Sequence, residues 1–447
     1  MTFPIHSYRE ALSTMADGTI KQINPFSGTQ VWTVPGRGNR PLSKPKHDAQ
    51  PLGPEDFTHS CAFCSGNPLQ TPPEKSRMVR GSDGDWHILR GLLPDEMEQA
   101  DAAFRRVPNL FEIVSYDYWV ENYQYEMASD TAFQMQRYIS DERGRQHVID
   151  IVRTRLNASG NGQGDEMTDE ELLAKAPTYF AGGHDVIVSS RHYIDGATDD
   201  SQLASSGTMT PDEHYGFTAF TIDAMRDLYE NNRYAPYVVV FQNWLSAAGA
   251  SFDHLHKQLV AIDERGVQTD MEIQKLRTNP NMYNEWAVNY ASYHNLVIAE
   301  NDYAILIAGI GHRYPTLGLY SKSAVPEPWL QAPEEVRGMS DLLHAAHAAT
   351  GPDIACNEEW HHKPVDLDMP MPWRINLKWR VSTLAGFEGG TKVYVNTISP
   401  FDLRDRVVSS MYKLRDEGKI ESSIRIATEC SAATNVLRYN PMLHLTQ

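Results

Sequence analysis

The sequence predicts an α+β chain, and three observations carry that expectation. Short β-branched runs alternate with helical segments bounded by start and stop signals. Two of the runs follow each other closely enough to pair antiparallel, and the same alternation returns in the second half. With 447 residues, 41% hydrophobic and 22% charged, the chain is long enough to bury two or three cores, and disorder, collagen and coiled coil are excluded as whole-chain readings.

From Asn24 to Pro41 the chain passes through a Pro/Gly turn and the β-rich run VWTV into a loop carrying Arg37 and Arg40. That reads as a strand delivering two cations. The polar stretch Asn157 to Asp169 reads as an exposed insertion loop, since strand-like HDVIV follows at residues 184–188. Thr210-Pro211-Asp212-Glu213 is a capping box with proline at the first helical position, so a helix opens there and runs to about Asn231. A strand at Tyr237 to Phe241, a Gly/Ala/Ser loop and a second strand from about His254 to Ile262 form the antiparallel pair. Helices are expected from about Asp270 to Asn295, from Pro333 to Thr350 with Gly351 as the stop, and after Ser399-Pro400. Strands at 303–309, 374–381 and 392–397 interleave with them and make the second half another α+β unit.

A formal net charge of −18 repels polyanions and argues against general nucleic-acid binding. A small anion remains compatible, because two or three Arg or Lys and some backbone amides suffice to hold a phosphate. No apolar run approaches the ~20 residues that span a bilayer, and the N-terminal stretch is not of signal-peptide type. No membrane partner and a cytoplasmic location are therefore expected. Four cysteines, at 61, 64, 356 and 430, are too few to staple the chain.

The chemistry concentrates in FQNWLSAAGASFDHLHKQLVAID. On a strand, His254, His256 and Gln258 project from one face, and Leu255, Lys257 and Leu259 from the other. A neutral imidazole held there can attack phosphorus, and its phosphoramidate is labile enough to turn over. The Gly249-Ala250-Ser251 loop could offer amides and a hydroxyl to phosphate oxygens. With 17 His, roughly 0.6 His-x-His pairs are expected by chance. The pair alone is thus no better than a structural strand histidine. The wider register of Asn243, Gly249, Ser251, His254, His256 and Gln258 is what changes the balance.

The second signal is Cys61-x-x-Cys64, for which about 0.03 chance occurrences are expected. A thioredoxin-type motif needs a helix starting at the cysteines, whereas Ser-Gly-Asn-Pro and a polar loop follow here. Tetrahedral zinc would need two further ligands from elsewhere, and two buried thiols without metal is the alternative.

Position for position, the Asn243 to Gln258 register resembles the active-site segment of galactose-1-phosphate uridylyltransferases, the transferase branch of the histidine-triad superfamily. The resemblance extends to Asn24-Pro25 with Arg37 and Arg40, Cys61-Ala62-Phe63-Cys64-Ser65-Gly66-Asn67 with Thr71-Pro72-Pro73-Glu74, Val107 to Phe111, His184 to His192, and Ala385-Gly386-Phe387-Glu388 leading to Asn396. It implies two histidine-triad-like halves, 1–265 and 266–447, each an antiparallel sheet with packed helices, and a homodimer. It further implies His256 as the nucleophile that becomes nucleotidylated, assisted by Gln258 and Ser251. Arg37, Arg40, Asn109, Asn243 and Gly249 would bind substrate. Structural Zn2+ would be held by Cys61, Cys64, His192 and His254, fixing the strand rather than activating water.

The sequence departs from the family pattern in two places. Pro372-Trp373-Arg374-Ile375-Asn376 replaces a His-x-His and a Glu in the second half, so no iron or other second metal is expected, although His361 matches a position some members use for one. Arg374 could meet a phosphate or cover the sheet face. Leu255 and Lys257 replace the usual Pro and Gly, and Lys257 could still attract an anion. His344 and His347 read as a packed or surface helix face.

The implied function is transfer of a nucleoside monophosphate between a nucleotide-sugar and a sugar phosphate, with UDP-hexose and hexose 1-phosphate as the default pair. Phosphate as acceptor would make the enzyme a phosphorylase of ADP-glucose or diadenosine tetraphosphate. A catalytically silent nucleotide-binding scaffold is the rival from another class.

Overall fold

The computed structural model describes residues 10–37, 48–158, 162–431 and 433–444. The strands are β1 Leu12–Thr14, β2 Ile20–Ile23, β3 Gln30–Thr33, β4 Ser76–Arg80, β5 Trp86–Arg90, β6 Phe104–Pro108, β7 His184–Ser189 and β8 Tyr237–Trp244. They continue as β9 His256–Ile262, β10 Val297–Glu300, β11 Ala304–Ala308, β12 Thr316–Ser321, β13 Cys356–His361, β14 Arg374–Trp379, β15 Val393–Val395 and β16 Arg425–Ile426. Twelve of them form one sheet in the order β16-β10-β11-β12-β14-β13-β8-β9-β7-β6-β4-β5. The other four form a small sheet, β1-β2-β3-β15, in which β3 and β15 run parallel. The chain is α+β, as its sequence predicts.

The β8–β9 pair is antiparallel, with Phe241 opposite Gln258 and Val240 opposite Leu259. On the other edge of β9, β7 places Val188 opposite His256 and Val186 opposite Gln258. β8 also pairs with β13, so strands from the two halves of the chain share one continuous sheet.

The helices Pro211–Asn231, Pro333–Thr350 and Pro400–Asp416 pack in a row against this sheet. The first begins where its capping box requires: Thr210 Oγ1 accepts from the Glu213 N–H, and Glu213 Oε2 accepts from the Thr210 N–H. Phe217, Phe220 and Met225 of that helix share one core with Leu255 and Leu259 of the strand region. Each such side chain contributes about 1.5–3 kcal/mol on burial.

Three local expectations are corrected. The helix expected over 270–295 is instead Val267–Thr278, a π-turn at Asn284–Asn289 and a last turn Tyr290–Tyr293. Pro280 explains the break, because it drives Asn279 out of the helical region, to φ −136°, and brings no N–H. The Asn157–Asp169 stretch is not wholly loop. Helix Glu142–Ala158 runs into it, Asn157 Oδ1 accepts from the Gly164 N–H at 2.9 Å, and a short helix Gln163–Glu166 follows. Finally, β9 starts at His256, so His254 lies just before the strand.

Candidate functional site

The alternation along β9 sorts its side chains onto two faces. Lys257 and Leu259 point toward the Pro211–Asn231 helix, where Lys257 Nζ lies 4.7 Å from the Phe217 ring centre and 2.6 Å from Glu358 Oε1. Lys257 is fully buried and its charge is met by Glu358, so it does not act on a ligand at the opposite face. That opposite face carries His256 and Gln258.

His256 is 5% exposed and sits against the Phe63 ring, with centroids 5.3 Å apart. Its Nδ1 lies 2.8 Å from the His254 carbonyl, which can only accept, so Nδ1 carries the proton and Nε2 keeps its lone pair. Burial lowers the pKa of this ring and keeps it neutral at pH 7. A neutral imidazole with a free Nε2 is the form a nucleophile needs.

His254 shows the opposite tautomer. Its Nε2–H donates to the Ser189 carbonyl at 2.7 Å, leaving Nδ1 to face the two cysteines. Cys61, Cys64, His192 and His254 place their ligand atoms within 4.8 Å of one another and could hold a metal. The two Sγ atoms are 3.8 Å apart, and the four Sγ–Nδ1 distances are 3.4, 3.5, 3.6 and 3.8 Å. Tetrahedral zinc with bonds of about 2.3 Å to sulfur and about 2.05 Å to nitrogen sets these edges at about 3.8 and 3.6 Å, so the donor set fits such an ion. Cys64 is held well below the ordinary thiol range, chiefly by its contact with Cys61 and then by the two imidazoles, while Cys61 is pushed up. The turn is braced by Asn67 Nδ2, which donates to the Cys61 carbonyl at 2.9 Å, and by buried Arg105, which donates to the Phe63 carbonyl at 3.0 Å.

Gln258 is half-buried, and its Oε1 lies 3.1 Å from His184 Nε2 and 3.4 Å from Asn109 Nδ2. Asn243 Oδ1 accepts from Asn357 Nδ2 at 2.7 Å, and Asn357 Oδ1 in turn accepts from Arg380 at 2.8 Å. His184 is legible in the sequence only as the start of the His184 to His192 stretch, without a role of its own, and Asn357 and Arg380 carry no recognisable sequence signal. Asn357 and Arg380 reach Asn243 only because β13 lies beside β8 in the sheet.

The loop before β9 differs from its expected role in one respect. The N–H groups of Ala248, Gly249 and Ala250 are already bonded, to the carbonyls of Leu245, Ser246 and Leu245. Gly249, at φ +90°, therefore shapes the turn, and the amides with no partner among the described residues begin at exposed Ser251.

Arg37 lies exposed in the turn after β3, and its side chain makes no hydrogen bond or ion pair with the His256 group among the described residues. Its sheet is tied to the C-terminal half, through Asn24 Nδ2 donating to the Ile310 carbonyl and Gln22 Oε1 accepting from the Gly311 N–H. Arg40 lies outside the described residues. A cavity of about 740 Å3 opens beside the cysteine turn, lined among others by Ser65, Gln70, Arg77 and Ser190; its lining contains neither His256 nor Gln258.

Arg374, His361, His344 and His347 are bonded within the fold. Arg374 makes two 2.6 Å contacts with Glu272 and lies over the Tyr283 ring, so of its two readings the sheet-covering one holds. His361 Nε2 accepts from Asn376 Nδ2 at 3.2 Å. His344 donates to the Met209 carbonyl and His347 meets Glu358, each at 2.7 Å.

Residues 15–439 match the protein family described as a domain of unknown function, DUF4921. The chain belongs to that family. No curated protein matches the sequence significantly. Among solved structures, an ADP-glucose phosphorylase from Arabidopsis thaliana with bound ADP-glucose is similar at a TM-score of 0.56 and 17% identity, over 87% of this chain and 98% of that one. A GalT-like protein from Arabidopsis thaliana is similar at 0.53 and 17%, over the same shares of 87% and 98%. The family member described here thus has the fold of the GalT-like proteins.

Proposed function

We propose that this protein is a nucleotidyltransferase working by double displacement through His256. The observation that carries the reading is the tautomer of that ring: Nδ1–H is tied to the His254 carbonyl, and Nε2 has no hydrogen-bond partner among the described residues, on a ring that shares its strand face with Gln258. Nε2 attacks the α-phosphorus of a nucleotide-sugar. The N–P bond forms, the bond from that phosphorus to the bridging oxygen breaks, and the sugar phosphate leaves with the electron pair. As positive charge develops on the imidazole, the His254 carbonyl stabilises it. An acceptor phosphate oxygen then attacks the same phosphorus and regenerates neutral His256. Gln258, Asn243 and Ser251 donate to the phosphoryl oxygens during both steps. Zn2+ held by Cys61, Cys64, His192 and His254 would be structural, anchoring the residue whose carbonyl orients the nucleophile. On this reading residues 1–265 carry the chemistry, 266–447 supply Asn357 and Arg380 to support it, and Arg37, Arg40 and Asn109 contact the nucleotide.

UDP-hexose and hexose 1-phosphate are the default substrates. The likeness to an ADP-glucose phosphorylase supports a second choice, with inorganic phosphate as acceptor and the same nucleophile.

Intact-mass measurement after mixing with UDP-glucose, UDP-galactose or ADP-glucose tests the proposal. A nucleotidyl adduct is expected on the wild type and absent from His256→Ala; chase with hexose 1-phosphate or with phosphate then identifies the acceptor. No adduct with any donor sinks the proposal and leaves the silent scaffold.

A further inference from the structure

An amide that stabilises a phosphoryl transition state must present nitrogen, not oxygen, to it. Gln258 can rotate either way, so something has to choose. The 109–113 loop wraps around His184 and supplies the choice. The Asn109 N–H donates to the His184 carbonyl at 2.8 Å, and the Ile113 N–H donates to His184 Nδ1 at 3.1 Å. A backbone N–H pointing at Nδ1 requires a lone pair there, so neutral His184 carries its proton on Nε2. That Nε2–H has Gln258 Oε1 at 3.1 Å. Asn109 is equally constrained: its Oδ1 accepts from the Phe111 N–H at 2.9 Å, which turns Nδ2 toward Gln258 Oε1, 3.4 Å away. The 3.1 Å approach of Asn109 Nδ2 to His184 Nε2 is then a contact of two donors converging on one oxygen. A flipped Gln258 would set its NH2 against both of them.

Resting on the nucleotidyltransferase reading above, we infer that His184 is a positioning residue: with Asn109, it holds Gln258 by its oxygen, so that the Gln258 amide nitrogen can only donate toward the phosphoryl group at His256. Burial of the His184 ring, 1% exposed, keeps it in the neutral form that this arrangement needs. The nucleoside-side loop and the transition-state donor are thereby joined through one imidazole.

Two measurements test this separately from the parent proposal. Long-range 1H–15N NMR of histidine-labelled protein should show His184 as the Nε2–H tautomer from pH 6 to 9; an Nδ1–H ring overturns the inference whatever the enzyme does. In single-turnover adduct formation, His184→Leu should slow the reaction on the order of tenfold or more, bounded by the roughly hundredfold loss from removing a whole transition-state donor. Donor half-saturation should stay within about twofold, and His184→Gln, which can donate from a similar place, should recover most of the rate. In a Gln258→Ala background His184→Leu should cost nothing further. Multiplying rather than merging effects, or loss of rate matched by loss of bound zinc or thermal stability, overturns the positioning role. If the wild type forms no adduct with any donor, the nucleotidyltransferase reading fails and the NMR arm alone decides the geometry.

Discussion

At the scale of single residues, the site is a set of imidazoles whose two nitrogens have different duties. In His256 the inner nitrogen is spent on a carbonyl and the outer one has no hydrogen-bond partner among the described residues; in His254 the outer nitrogen is spent and the inner one faces the cysteines. One bond path connects the two, since the carbonyl that fixes His256 belongs to His254. Cys61→Ser removes one thiolate from the four-ligand set, and bound zinc should fall well below one per chain in elemental analysis. Full stoichiometric zinc in that variant would show the ligand set to be wrong. On the proposed reading a metal bound there would anchor the His254 backbone, so adduct formation should slow in the same variant.

At the scale of elements, β9 is fixed from both sides. The face carrying His256 and Gln258 is held by the cysteine turn and the 109–113 loop, and the other face by Lys257. That lysine pairs with Glu358 of β13, two strands away, and Glu358 also accepts from His347 and from the Trp360 indole. Glu358 is held well below the usual carboxylate range despite its burial, chiefly by the Lys257 charge. Glu358→Gln leaves a fully buried ammonium unpaired and should destabilise the protein by about 3–5 kcal/mol in denaturant unfolding, whereas Lys257→Met with Glu358→Leu should cost far less. Equal losses in the single and double variants would show that the pair is not what holds the seam. The capping box before Pro211 and the stop at Gly351 were legible because they are local: a side chain bonding its own backbone three residues away needs no partner elsewhere. The break at Pro280 is equally local, and the helical pattern around it concealed it.

At the scale of the whole molecule, one continuous sheet carries strands from both halves, and the helical layer buries several imidazoles. His214, His344 and His362 are nearly inaccessible, and burial lowers all three, His344 to about 4 and His362 to about 3. Below an unfolded value of about 6.5 the unfolded chain binds more protons at these positions than the native one, so stability falls as pH drops from 7 toward 4. Asp341, raised to about 6, and Glu112, raised to about 7, act in the opposite sense but are fewer. The thermal midpoint at pH 5 should therefore lie on the order of 5 °C or more below that at pH 7.5; a flat or rising midpoint would contradict this balance. The α+β class, the β8–β9 pair and the alternation that puts His256 and Gln258 on one face were all written in periodicity and spacing, because a strand's side-chain order is set by its own chain. Which residues join Cys61 and Cys64 in the candidate metal cluster was legible only through resemblance, since Cys61 and His192 are far apart in sequence. The ring tautomers, the polarity of the Gln258 amide, the use of Asn357 and Arg380 to hold Asn243, and the neutralisation of Lys257 by Glu358 depend on which strands lie side by side. The Lys257–Glu358, Asn243–Asn357 and Gln258–His184 contacts join residues 101, 114 and 74 positions apart, the tautomers depend on where a carbonyl or an N–H ends up, and no local pattern encodes them.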